Sequence, residues 1–171
     1  AAPDYEDPAF DRVSAAYATQ RDPYAATFSP WLPMGLNLGR QLFFLQTRHP
    51  DLFAQTRRIL TFPQYWAARF CGAHASEVTS LGCHTDIWHP VQARYSALAD
   101  REGWSALFAP LRAAGDELGK VTFEFARATG LGEDCRVLCG IHDSNASYLA
   151  HAATRRHDRE LAVVSSGTWV I

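Results

Sequence analysis

The feature that most constrains the fold is an apolar run that leads directly into an acidic residue. Residues 136–141 (RVLCGI) are typical of a buried strand, and Asp143-Ser144-Asn145 offers capping side chains for a helix over residues 146–152. A strand, an acidic tip and a helix in this order favour an α/β fold, which places chemistry at strand ends. We therefore expect Asp143 to be held by the scaffold and to face a crevice.

A second pattern with chemical potential lies at the C-terminal end of the sequence. Residues 161–164 are predicted to form a strand, Ser165-Ser166-Gly167 a tight turn, and residues 168–171 a returning strand. The hydroxyls and backbone N–H groups of such a turn can bind phosphate oxygens, although most small-residue turns are simple hairpins. A strand ending at Ile171 would carry an unpaired apolar edge, so we expect the chain to be a piece of a longer protein.

The rest of the sequence predicts mainly helices. Apolar spacing, proline positions and capping residues predict helices over residues 8–18, 36–47, 50–60, 63–72, 104–110 and 122–129, the last capped by Thr122 and stopped by Gly130. Residues 77–88 mix β-branched, Gly and polar residues and predict loops with short strands. Five large aromatic residues are assigned to the core: Tyr65, Trp66, Phe70, Trp88 and Trp104.

Composition excludes several classes of protein. Hydrophobic residues make up 47% of the 171 residues, charged residues 20%, and the net charge is -2, as in an ordinary globular protein. Sixteen Lys and Arg against 18 Asp and Glu leave no basic excess for nucleic acid. No run approaches the roughly 20 apolar residues of a membrane span, and the acidic N-terminus does not resemble a signal peptide. We expect a cytoplasmic protein with free thiols and no membrane partner.

On residue type and position alone, Asp143 has two interpretations. It is placed as a general base, and it is placed equally well to do no more than cap the following helix. Serine hydrolase chemistry from Ser165, His142 and Asp143 is disfavoured, because no G-x-S-x-G motif occurs and the side chains of adjacent His and Asp are expected to diverge. A short window of metal-ligand types fits no common zinc spacing, so no metal site is predicted there: Cys83, His84, Asp86 and His89.

Two segments in sequence resemble the FGGY carbohydrate kinases, most of all the rhamnulokinase and fuculokinase branch. They are HDSNASYLA at 142–150 and LAVVSSGTW at 161–169, which match that family in order and spacing. Upstream segments are similar to successive parts of the family's N-terminal domain: LNLGRQLFFLQ at 36–46, FPQYWAARFCG at 62–72, EVTSLGCHTDIW at 77–88 and AGDELGKVTFEFARATGL at 114–131.

The resemblance implies an α/β, actin-like (ribonuclease H-like) ATPase fold whose active site lies in the cleft between two domains. Residues 1–152 would form the later part of the N-terminal, sugar-binding domain, and residues 153–171 the first hairpin of the C-terminal, ATP-binding domain. Asp143 would accept the proton of the attacking sugar hydroxyl, with His142 and Ser144 as sugar contacts. A phosphate loop for ATP would be formed by Ser166, Gly167 and Thr168.

The implied activity is transfer of the γ-phosphate of ATP, with Mg²⁺, to a hydroxyl of a ketose such as L-rhamnulose or L-fuculose. The family's acidic D-x-G-T phosphate loop and its glycine-rich adenosine pocket have no counterpart in the sequence, so we expect this chain alone to be inactive. The alternative is an actin-like nucleotide-binding module that has lost catalysis and serves in regulation or assembly. The oligomeric state is left open, a homo-oligomer included.

Overall fold

The computed structural model describes residues 3–154 and 160–164. Within these ranges the chain is mixed helix and sheet, with the helices dominant. The helices are α1 (Asp11–Gln20), α2 (Tyr24–Thr27), α3 (Leu38–Arg48), α4 (Pro50–Ala54), α5 (Phe62–Cys71), α6 (Val78–Gly82), α7 (Ala97–Arg101), α8 (Phe123–Thr129) and α9 (Asp143–Ala153). Two 3₁₀ helices cover Pro8–Phe10 and Ser105–Leu107.

Four short strands form two antiparallel pairs in the described ranges. β1 (Trp88–His89) and β2 (Arg94–Tyr95) form a hairpin, whereas β3 (Glu117–Lys120) and β4 (Arg136–Leu138) pair with α8 between them in the chain. The register of the β3–β4 pair shifts between Glu117 and Gly119. β4 is therefore the strand that leads towards Asp143, as the apolar run predicts.

Several predicted helices are confirmed, together with their caps. The helices expected over 8–18, 36–47, 63–72 and 122–129 correspond to the first 3₁₀ helix with α1, to α3, to α5 and to α8. The Thr122 hydroxyl oxygen accepts the N–H of Phe125 at 3.2 Å, and both Gly72 and Gly130 end their helices at φ +77°. The predicted helix over 104–110 is only a 3₁₀ turn.

Three other predictions are wrong in part. The helix expected over 50–60 ends at Ala54, because Ile59 is drawn into the core and bridges to Phe108 in parallel. Residues 78–82 form a helix where loops and strands were expected, since the Glu77 side chain caps their N-terminus. Residues 161–164 form no regular strand, and the turn and strand expected over 165–171 lie outside the described residues.

The larger hydrophobic core lies between α1, α3, α6, the β1–β2 hairpin and α7. Its fully buried members include Tyr17, Leu98 and Trp104. Trp88, a member of β1, is also buried, so two of the five predicted core aromatics are confirmed. Large apolar side chains dominate this core. We therefore attribute most of the stabilisation of the elements around it to the removal of these side chains from water.

A smaller core joins α5, the β3–β4 pair and α8. Ala67, Val121, Ala126 and Val137 are buried in it, and Phe70 packs against it. Tyr65 and Trp66 were wrongly assigned to the core, since they remain 46% and 44% exposed on the outer side of α5. β4 is likewise buried on one face only, because Val137 points inward while Leu138 is 52% exposed.

A buried ion pair ties the N-terminal helix to the loop before β1. Arg21 donates to Oδ1 of Asp86 at 2.6 Å, and the Tyr17 hydroxyl donates to Oδ2 at 2.7 Å. The Asp86 side chain has no exposed surface, and Arg21 also donates to the carbonyl oxygen of Ser29. Since a buried carboxylate is costly without partners, this network fixes how α1 packs against the larger core.

Candidate active site

The end of β4 is clamped from α5. Gln64, which is fully buried, donates its side-chain amide to the carbonyl oxygens of Cys139 at 3.1 Å and Gly140 at 3.3 Å. Its own amide oxygen accepts the hydroxyl proton of Thr61. Gly140 has φ +88°, and a Cβ there would lie 3.3 Å from Cβ of Pro63. Only glycine fits this position without strain, so the chain turns sharply towards Asp143.

Asp143 is the first residue of α9 and its side chain is 91% exposed. Its Oδ1 atom accepts the N–H of Ser144 at 2.7 Å and lies 3.4 Å from the Ser144 hydroxyl. The Nδ1 atom of His142 is 3.0 Å from the same Oδ1. The three residues predicted as the sugar-contacting and catalytic group are therefore brought together, with the carboxylate open to solvent.

Two expectations about this group are wrong. The N-cap of α9 is His142, whose Nδ1 accepts the Ser144 N–H at 3.3 Å, while Asp143 already lies inside the helix. The helix accordingly starts three residues before the predicted one. The adjacent His142 and Asp143 side chains also meet instead of diverging, because the cap residue folds its ring back over the first turn.

The buried carboxylate of Glu77, at the start of α6, is linked to this turn through the hydroxyl of Thr79. The side chain of Glu77 is almost completely buried and accepts the N–H groups of Thr79 and Ser80 at 2.9 and 3.2 Å. It also accepts the Thr79 hydroxyl at 2.5 Å. The oxygen of that hydroxyl in turn accepts the backbone N–H of His142 at 3.0 Å. Sequence analysis missed both residues, because Glu is not among the usual N-cap residues and the contact of Thr79 is with a backbone atom.

His84 packs against the ring of His142, and Cys83 lies beside His84. The rings of His84 and His142 meet edge to face with their centroids 6.1 Å apart, and the Cys83 sulfur lies 3.1 Å from Nδ1 of His84. Burial, followed by the charge of Asp143, raises the pKa of Cys83 to about 11. Burial and the neighbouring His142 lower the pKa of His84, which the charge of Asp143 opposes. Both groups are therefore neutral near pH 7.

The residues of the metal-type window separate in space. Asp86 belongs to the buried network with Tyr17 and Arg21, whereas Cys83 and His84 approach the Asp143 turn. Among residues 3–154 and 160–164, no three His, Cys, Asp or Glu side chains form a group that could hold a metal ion. The predicted phosphate-loop residues Ser166, Gly167 and Thr168 lie outside the described residues.

An apolar groove runs beside the Gly140 turn, on the outer side of the smaller core. Pro63, Trp66, Phe70, Phe125 and Leu138 are among the residues that line it. Few polar groups face it, so it lacks the hydroxyl-binding groups that a sugar needs. In the described part of the chain no helix is long and apolar enough to cross a membrane.

Solved structures similar to this chain are carbohydrate kinases. A carbohydrate kinase from Novosphingobium aromaticivorans is 48% identical, with a TM-score of 0.85 over 94% of this chain and 35% of that one. A ligand-bound xylulose kinase from Lactobacillus acidophilus is 19% identical, with a TM-score of 0.66 over 85% and 29% of the two chains. Plasmodium falciparum glycerol kinase with ADP is 8% identical, with a TM-score of 0.68 over 85% and 30%. No family model and no curated protein matches.

These likenesses establish the class of fold. The chain has the fold of a part of the sugar kinases with actin-like ATPase architecture, as the sequence predicts. It spans about a third of the length of the Novosphingobium carbohydrate kinase. The structural neighbours are carbohydrate kinases, xylulose, gluconate and glycerol kinases among them, and they do not confirm the rhamnulokinase and fuculokinase branch.

Proposed function

We propose that this chain is part of an ATP-dependent carbohydrate kinase of the FGGY family, with Asp143 as the general base. The observation that carries the proposal is the placing of Asp143: a 91% exposed carboxylate on a turn held by two other elements. The 48% identity with a carbohydrate kinase supports the same reaction class. Phosphoryl transfer needs alignment of the nucleophile more than covalent chemistry, and a rigidly mounted base meets that need.

In the proposed reaction a sugar hydroxyl attacks the γ-phosphate of ATP while its proton passes to Asp143. The polar edge formed by His142 and Ser144 would hold the neighbouring sugar hydroxyls, since both residues already contact the carboxylate. We propose a ketose of the L-rhamnulose or L-fuculose type as substrate, on the basis of the HDSNAS and SSGTW segments. The products are a sugar phosphate and ADP.

ATP would be bound through its phosphates by Ser166, Gly167 and Thr168. Bound with ATP, Mg²⁺ would supply neutralisation of the phosphate charge. Asp143 is the one carboxylate of the described turn that faces solvent, and the described residues hold no cluster of three candidate ligands. These residues do not form a complete magnesium site, so we assign no step to them through the ion.

We propose that residues 1–152 belong to the sugar-binding domain and residues 153–171 begin the ATP-binding domain. Since the chain spans about a third of the related kinase, the remaining parts of the nucleotide site would lie elsewhere in a longer protein. The 171-residue chain alone is then expected not to consume ATP. A cytoplasmic location stays a prediction from the sequence, and the alternative of an inactive module is not favoured because the structural neighbours are carbohydrate kinases.

The test is ADP release by the full-length protein with ATP, Mg²⁺ and a panel of ketoses, pentitols and aldoses. The proposal expects turnover that depends on a sugar, with deoxyketoses among the best substrates, and no turnover by the isolated 171-residue chain. Binding of ATP without turnover on any sugar would instead support the inactive nucleotide-binding module.

A further inference from the structure

We propose that Thr79 is a positioning residue for Asp143. The buried Glu77 carboxylate orients the Thr79 hydroxyl, and this hydroxyl holds the backbone N–H of His142, the residue directly before Asp143. The inference rests on the proposed function, since it concerns the geometry of the proposed base. It assigns a role in the site to α6, which sequence analysis took for loops and short strands.

The buried carboxylate of Glu77 orients the hydroxyl of Thr79. Glu77 as a whole residue is 1% exposed, so its carboxylate needs strong donors in place of water. It accepts the Thr79 hydroxyl at 2.5 Å, besides the backbone N–H groups of Thr79 and Ser80. The hydroxyl proton is thereby committed to Glu77, so the oxygen of Thr79 is left to act as an acceptor.

The Thr79 hydroxyl oxygen accepts a hydrogen bond from the start of α9. It lies 3.0 Å from the backbone N of His142, a residue 63 positions further along the chain. His142 is the N-cap of α9, and the N–H of an N-cap residue is often bound by the side chain at the third helical position of the same helix. In α9 that position is Asn145, and the bond is supplied instead by Thr79 from another helix.

The hydrogen bond between Thr79 and His142 affects the position of Asp143, the proposed base. The Asp143 side chain is 91% exposed and its contacts are with its chain neighbours His142 and Ser144, so its place depends on the backbone of the α9 start. Gln64 holds the preceding residues Cys139 and Gly140, which leaves the His142 N–H as the tether nearest to Asp143. Since a shift of about 1 Å in a reacting group can cost roughly 100-fold in rate, this tether affects the reaction itself.

The experiment compares Thr79→Val, which keeps the branched shape and loses the hydroxyl, with Thr79→Ser, which keeps the hydroxyl. Both are made in the full-length protein. We expect kcat to fall about 10- to 100-fold in the Val variant, while KM for ATP and sugar changes less than about threefold. The Ser variant should stay within about threefold of wild type in kcat. Thr129→Val is the matched control, because the Thr129 hydroxyl bonds only within its own helix, to Phe125.

A second readout does not depend on turnover. Hydrogen–deuterium exchange of a peptide covering residues 139–145 should be faster in Thr79→Val and unchanged in Thr79→Ser. If Thr79→Val does not fold, Thr79→Ala is measured in the same way. Absence of sugar-dependent turnover in the wild type would overturn the proposed function, and exchange would then decide on the tether. An active wild type with unchanged kcat and exchange in the Val variant, or with equal losses in Val and Ser, would overturn the role of Thr79.

Discussion

The Nδ1 atom of His142 lies 3.0 Å from Oδ1 of Asp143, so two adjacent side chains form one polar unit at the start of α9. The imidazole is mostly buried, with 20% of its side chain exposed, whereas the carboxylate is open to solvent. The ring therefore restricts the carboxylate from the protein side and leaves its other side for a substrate.

Replacing this imidazole is expected to lower the efficiency of the proposed kinase. In His142→Asn we expect kcat/KM to fall about 10- to 100-fold, because the imidazole no longer restricts the carboxylate from the protein side and a shift of about 1 Å in a reacting group can cost roughly 100-fold in rate. Steady-state kinetics with the preferred sugar measure it. His151→Asn, at an exposed site on the last turn of the same helix, should leave kcat/KM unchanged, and equal effects of the two substitutions would contradict the assignment.

The Gly140 turn should tolerate no side chain. Ala at φ +88° costs about 1–2 kcal/mol in backbone strain, and the 3.3 Å contact of its Cβ with Pro63 adds an overpacking cost of about 1–3 kcal/mol. Gly103→Ala is the matched control, because Gly103 has φ +75° and nothing within 4 Å of its added Cβ. Urea unfolding should show a larger loss of stability for Gly140→Ala, and a loss no larger than that of Gly103→Ala would refute the close approach.

The buried and the exposed ion pairs should differ strongly in their contribution to stability. Arg21→Ala leaves the unexposed Asp86 carboxylate without its cation and is expected to cost about 3–5 kcal/mol. The pair of Arg136 and Glu117 is 3.5 Å long and 73% and 44% exposed, so Arg136→Ala should cost less than about 1 kcal/mol. Free energies of unfolding from urea titrations check both values, and similar losses would show that the Asp86 network is not the constraint described.

The thiol of Cys83 should be unreactive at neutral pH. Burial and then the Asp143 charge raise its pKa to about 11 from the ordinary 9.0, and only the thiolate reacts with iodoacetamide. We expect the alkylation rate of Cys83 to rise about tenfold per pH unit above pH 8 and to level off near pH 11. Mass spectrometry of the Cys83 peptide measures the rate. Asp143→Asn should increase it, because a negative charge that disfavours the thiolate is removed, and a midpoint at or below 9.0 would contradict the described surroundings.

Local signals in the sequence were sufficient for the helices whose caps lie within their own segments. Thr122 caps the start of α8 and Gly130 ends it, through hydrogen bonds and backbone angles that involve only neighbouring residues. The predicted and the observed helix therefore agree. Ile59 shows the opposite case, since its helical spacing gave way to a bridge with Phe108, 49 positions away, that no local pattern reveals.

The candidate site divides in the same way. Asp143, His142 and Ser144 are contiguous, so a motif in the sequence could point to all three. Thr79 and Gln64 reach the same turn from α6 and α5 through contacts with backbone atoms of His142, Cys139 and Gly140. A contact with a backbone atom does not require a particular side chain on the residue that is contacted. The sequence therefore could not reveal the roles of Thr79 and Gln64 in the site.

The most direct test of the central claim is turnover of ATP by the full-length protein carrying Asp143→Asn, compared with wild type on the sugar that the wild type prefers. The account predicts a fall in kcat of about 10²- to 10⁴-fold, as for loss of a general base. Asp51→Asn, which changes an acidic residue in the first turn of α4, should retain wild-type turnover. Sugar-dependent turnover that is indifferent to Asp143→Asn would contradict the assignment of the base.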